Sequence, residues 1–139
     1  MRTIRFFLLA VALLSLRAAA DDARREDKSP LPDTVQFNRD IRPILSENCY
    51  KCHGPDSKSR EANLRFDTRE GIFAKLEDGN LAVAPGTLNR SVLWKRITTA
   101  DKDKMPPAKS GKKLTAREVA LLKKWIEQGA EWQGHWAFI

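Results

Sequence analysis

An all-α domain is the fold class this sequence predicts, and three observations predict it. Apolar residues recur at helical spacing at Phe37, Ile41, Ile44 and Leu45, and again at Val119, Leu122, Trp125 and Ile126. The second run opens on a capping box, Thr115-Ala116-Arg117-Glu118, and closes on Gly129. No strand pattern of the kind that feeds a parallel sheet accompanies them.

The first twenty residues read as an address. Arg2 and Arg5 supply positive charge, Phe6 to Leu16 is an apolar run, and Ala18-Ala19-Ala20 offers small residues for a peptidase. That run is too short for a bilayer, which needs about twenty apolar residues. Residues 1–20 are therefore expected to be a signal peptide, and the product an exported, periplasmic chain. Arg17 sits between the apolar run and the cut site, so retention as an anchor is the alternative, and the only route to a membrane association. Removing Arg2, Arg5 and Arg17 from the formal charge of +7 leaves +4 on the remaining 119 residues. That size suits one small domain. A charge so modest does not argue for nucleic acid.

Residues 21–34 are polar and charged, with Pro30 and Pro32, and read as a disordered leader. The domain is expected over 35–130. Its first helix should run from about Asp40 to Asn48. Asn38 or Asp40 can cap it, and Pro43 falls in the first turn, where its missing N–H costs little. This helix delivers Cys49-Tyr50-Lys51-Cys52-His53, which contains both cysteines of the chain.

The pattern C-x-x-C-H is the attachment site of a c-type haem. Each thiol adds across a haem vinyl group, and the histidine that follows is placed to ligate the iron. A helix leading into this motif is the geometry of a small class I cytochrome c, with helices around a covalently bound haem and long loops. A thioredoxin-like pair would want a strand before the motif and a βαβ context. A zinc site would want four ligands, which two cysteines and two distant histidines do not assemble.

Beyond the motif, Gly54-Pro55 ends the turn and residues 56–63 form a polar loop. Leu64 to Asp67 alternates as a short extended segment would, and Thr68 to Gly71 can start a brief helix reaching Leu76. Ser91 should cap a helix carrying Val92, Leu93, Arg96 and Ile97, with Trp94 as core filler more than as a haem contact. The loop from Asp101 to Lys113 holds Met105-Pro106-Pro107. The last helix should pack Leu122, Trp125 and Ile126 against Ile41, Ile44 and Leu45. An aromatic tail, 131–139, follows with Trp132, His135, Trp136 and Phe138.

His53 fills one axial position of the iron, and the sixth decides the chemistry. Met105, the one methionine after the address, lies 52 residues beyond His53 and is the leading candidate. A His/Met pair raises the reduction potential and suits electron transfer. His135 is the rival, giving a bis-histidine centre, and an open position is the third option. Lys102, Lys104, Lys109, Lys112 and Lys113 crowd the methionine loop. They read either as a positive rim that steers an acidic redox partner or as a solvated loop. Arg65, Arg69 and Arg96 are candidates to pair with a haem propionate.

With these residues in place the chain resembles the planctomycete-type cytochrome c domain. The resemblance rests on V-Q-F-N-R-D-I-R-P-I-L-S-E-N-C-Y-K-C-H-G-P-D (35–56), L-R-F-D-T-R-E-G (64–71), V-A-P-G (83–86), K-M-P-P (104–107) and the stretch from L-T-A-R-E to H-W-A-F (114–138). It implies haem c, held through Cys49 and Cys52, with His53 as proximal and Met105 as distal ligand. Domains of this kind sit at the front of longer exported proteins, so the tail is expected to act as a linker to a further domain. The function expected is that of a mono-haem carrier of single electrons, free or as the module of a larger exported protein, with one haem per chain, and not an enzyme. The alternative is a haem-containing docking module that engages a partner through the aromatic tail.

Overall fold

The structure is a computed structural model that describes residues 29–134. Within them the chain is helical and forms no strand. Five helices follow in order: α1 (Arg42–Asn48), α2 (Tyr50–His53), α3 (Arg69–Ile72), α4 (Val92–Thr98) and α5 (Ala116–Glu127). Short 3₁₀ turns at Leu88–Arg90 and Ala108–Ser110 punctuate the loops. No helix among the described residues is long and apolar enough to cross a membrane.

The helical run into the cysteines starts earlier than expected. A π-helical turn, Phe37–Ile41, precedes α1 without a break, and the Arg42 N–H bonds the Phe37 carbonyl. Pro43 accounts for this. It has no N–H, and its ring crowds the carbonyl four residues back, so the turn before it opens by one residue. Asp40 is thus inside the helical run and not at its cap. Its carboxylate still accepts from the Gln36 N–H at 2.8 Å, which satisfies one of the free donors at this end.

Helix α5 lies antiparallel to this run, as two hydrogen bonds show. Near its start Glu118 accepts from Asn48 (3.4 Å), and just past its end Gln128 accepts from the Val35 N–H (3.0 Å). Leu122, Trp125 and Ile126 share one core with Ile41, Ile44 and Leu45. They meet at the π turn, where the Phe37 and Trp125 rings sit 5.6 Å apart. The expected capping box is present: Thr115 accepts from the Glu118 N–H, and Glu118 from the Thr115 N–H. The helix closes on Gly129 at φ +100°, with Gly129 N–H on Ile126 and Ala130 N–H on Trp125. This is the Schellman arrangement.

Three loop expectations need correction. The helix after Thr68 ends at Ile72, well short of Leu76, and Thr68 caps it by accepting from Gly71. Leu64 to Asp67 finds no strand partner. Ser91 occupies the N-cap position of α4, but its hydroxyl does not cap. It is fully buried, accepts from the Ala84 N–H at 2.9 Å, and sits 3.2 and 2.9 Å from the Ala84 and Thr87 carbonyls. The run Ala82-Val83-Ala84 that it holds is buried between the 74–76 segment and α4.

Both ends of the described chain are packed. Leu31 rests against the core, Asp33 accepts from Gln128 at 2.7 Å, and Ser29 accepts from Arg117, so 29–34 runs along α5 and is not disordered. Trp132 stacks on Phe37 at 4.2 Å, and the Gln133 side chain accepts from the Asn38 N–H. The Arg42 guanidinium lies over both rings and donates to the Gln133 carbonyl at 3.0 Å. Residues 131–134 therefore belong to the domain. Residues 1–28, His135, Trp136 and Phe138 lie outside the described residues.

Candidate haem site

The site begins where α1 stops. Cys49 leaves helical geometry (φ −124°, ψ −36°), and its own N–H still bonds Leu45. Its carbonyl then accepts from both Cys52 (3.1 Å) and His53 (2.8 Å), so the five-residue motif forms a turn of its own, with Cys49 at its cap. The two thiols are free, both are partly buried, and one helical turn separates them. Cys49 packs against the hydrophobic core.

Two glycines permit this packing. A Cβ on Gly54 would meet the Tyr50 carbonyl oxygen at 2.2 Å, and one on Gly71 would meet the Arg65 carbonyl oxygen at 2.0 Å. Gly54 lets the turn close immediately after His53. Gly71 lets α3 lie on the backbone of the 64–67 loop. The loop in turn covers the histidine: Phe66 N–H bonds the His53 carbonyl at 2.8 Å, and the two rings sit 5.3 Å apart. The residues alone gave Gly54 as the end of the turn and Gly71 as part of a brief helix, but not the close backbone approach at either.

Burial sets the protonation of the motif. The Cys49 thiol is pushed up to about 12, first by desolvation, then by the charges of Glu118 and Cys52. Burial likewise lowers His53 from its ordinary 6.5, while the backbone and carboxylate of Glu61 pull the other way. The imidazole is thus neutral at physiological pH. Its Nδ1 is buried without a hydrogen-bond partner in the protein, as is the Tyr50 hydroxyl. A neutral nitrogen donor beside two thiols is the donor set that a c-type haem requires, so the residues of this turn fit the group.

Met105 comes from a different loop. It lies half-buried in the loop after α4, anchored by its N–H to the Arg96 carbonyl at 2.8 Å. The Lys112–Glu47 ion pair ties the same loop to the end of α1. Lys102, Lys104, Lys109, Lys112 and Lys113 are all exposed. Of the arginines considered for a propionate, Arg65 is engaged by Asp67 (2.5 Å) and Arg96 by Asp103 (3.2 Å). Arg69 is exposed and lies over the Phe73 ring, with no ion pair among the described residues.

A comparison with known families finds a match over a stretch that starts at Cys49 and takes in Cys52, His53 and Met105. Residues 49–109 match the family Planctomycete cytochrome C. The match is narrower than the motif resemblance, since α1 and α5 fall outside it. The stretch similar to this family carries the candidate ligands, and the similarity supports haem binding and electron transfer. No curated protein and no solved structure matches the chain.

Proposed function

We propose that this chain is a planctomycete-type cytochrome c domain, a mono-haem, c-type electron carrier with one haem per chain attached through Cys49 and Cys52. The observation that carries the reading is the 49–53 turn: two free thiols one helical turn apart, followed by an imidazole that burial keeps neutral. A haem held there would supply a one-electron Fe(III)/Fe(II) couple. His53 gives it a nitrogen donor, and Met105 a thioether that favours the reduced state. Phe66 and the 61–66 loop pack beside the histidine. In this reading the domain carries electrons and transforms no substrate itself.

Thiol–disulfide chemistry is the competing use of the same cysteines, and the burial of Cys49 argues against it. A redox-active Cys-x-x-Cys needs its first thiol ionised near neutral pH. Here that thiol is held protonated up to about 12. The docking-module reading drew on the aromatic tail, and Trp132 is occupied against Phe37 within this domain.

The chain is read as exported to a periplasm, where its redox partner would present an acidic face. Asp103 is paired with Arg96, which leaves the exposed lysines around Met105 as net positive charge. Expression in a periplasm with haem-c maturation tests the assignment. A haem-sized mass increase, with a sulfur–iron charge-transfer band in the oxidised spectrum, is the expected result. Covalent haem without that band removes Met105 from the ligand set, and no covalent haem overturns the reading.

A further inference from the structure

A cavity of about 450 Å³ opens between α3 and the end of α5, within the range of roughly 300–1,000 Å³ usual for small-molecule sites. None of Cys49, Cys52, His53 and Met105 lines it, so it is separate from the candidate haem site.

Its walls are fixed by the fold. Pro85 is held by its neighbour Gly86, whose N–H bonds the Ile126 carbonyl at 2.8 Å. Past the end of α5 the chain turns through two left-handed residues, Gly129 at φ +100° and Ala130 at φ +51°. That region is costly for alanine. Such strain persists where surrounding contacts impose it, and it gathers at functional sites. Here the turn brings Glu131 and Trp132 to the cavity wall. The Trp125 indole donates to the Glu131 carbonyl at 2.9 Å, and the Trp132 ring rests on Phe37 at 4.2 Å. Walls set in advance lose little freedom when a ligand binds.

Two opposite charges line the cavity unused. Arg69 lies over the Phe73 ring at 5.9 Å, and neither its guanidinium nor the Glu131 carboxylate forms an ion pair among the described residues. A ligand of one charge would meet its like in one of them, whereas a zwitterion meets its opposite in both. An ammonium also gains from the negative end of α5, which stops just before Gly129. The rest of the lining is flat and apolar, from Phe73, Trp132 and Pro85, which suits a ring.

We infer that this cavity binds a free aromatic α-amino acid, with its carboxylate on Arg69, its ammonium on Glu131 and its ring against Phe73 and Trp132. The planar fork of arginine matches a carboxylate in shape as well as charge. The inference is independent of the haem reading.

The test titrates L-phenylalanine into the haem-loaded, reduced full chain and follows the Gly129, Ala130 and Trp132 signals by NMR. Saturable shifts at all three are expected. Both 3-phenylpropionate, which lacks the ammonium, and 2-phenylethylamine, which lacks the carboxylate, should bind about tenfold more weakly. Leucine, which lacks the ring, should also bind more weakly. Arg69→Gln should reduce phenylalanine to the affinity of 2-phenylethylamine, and Glu131→Gln to that of 3-phenylpropionate. Both side chains are exposed, and Glu131 meets Trp125 through its backbone, so each variant keeps the fold. Absence of saturable shifts overturns the inference. So does an analogue that binds as tightly as phenylalanine, or a variant whose affinity for phenylalanine is unchanged.

Discussion

The Cys49 thiol connects haem attachment to stability. In the folded chain it stays protonated up to about 12, while an ordinary thiol ionises near 9.0. Folding therefore binds that proton more tightly than the unfolded chain does. The stabilisation is complete below pH 9.0 and is lost as pH rises towards 12. Alkaline titration of the chain without haem should show this loss in Tm, and the holoprotein should not, because a thioether has no proton to release. Cys49→Ser should leave at most one thioether and a much lower yield of covalent haem. Met105→Ala should remove the sulfur–iron band and lower the potential, and persistence of the band would show that another group ligates. Gly71→Ala forces a Cβ to 2.0 Å from a backbone oxygen. It should cost about 1–3 kcal/mol by urea unfolding, because backbone cannot step aside as a side chain can.

At the scale of elements, the cap positions of α4 and α5 behave differently although each carries a hydroxyl residue. Thr115 forms the reciprocal box with Glu118, and Thr115→Ala should lower stability by about 1 kcal/mol. Ser91 instead holds the buried 82–84 run. Ser91→Ala would leave the Ala84 N–H buried without a partner, at a cost of about 1–3 kcal/mol. If Ser91→Ala cost no more than Thr115→Ala, the hydroxyl would be acting only as a cap. The capping box was legible from Thr115 and Glu118 alone, since both its partners lie within four residues. The use of Ser91 was not, because its partner Ala84 reaches it through a loop reversal that no local pattern encodes.

Across the whole molecule, the C-terminal end of the described chain closes on the face of the π turn. Phe37 receives Trp132, and Arg42 spans both rings while holding the Gln133 carbonyl. Trp132→Ala should destabilise the domain by about 2 kcal/mol, as expected for removing a large, partly buried ring. A chain ended before Glu131 should melt lower still, since the Trp125 indole also donates to the Glu131 carbonyl. The exposed lysines act at this scale too. Electron exchange with an acidic partner should slow as salt rises, because the charges are exposed and screening at about 0.1 M salt acts over about 10 Å. A salt-independent rate would reduce the lysines to a solubility feature.

The sequence by itself determined the helical class, the two long apolar faces, the capping box and the residues offered to a haem. These follow from periodicity and from side-chain chemistry within a few positions, which the chain displays without folding. Tertiary structure decided the rest. It alone lowers the His53 pKa by burial, because the loop that brings Phe66 onto the ring comes from later in the chain and its desolvation outweighs the opposing pull of Glu61. It alone draws 29–34 and 131–134 into the domain, through contacts between residues more than 85 positions apart. It alone gives Gly54 and Gly71 their meaning, since a missing Cβ matters only where another stretch of backbone already fills the space.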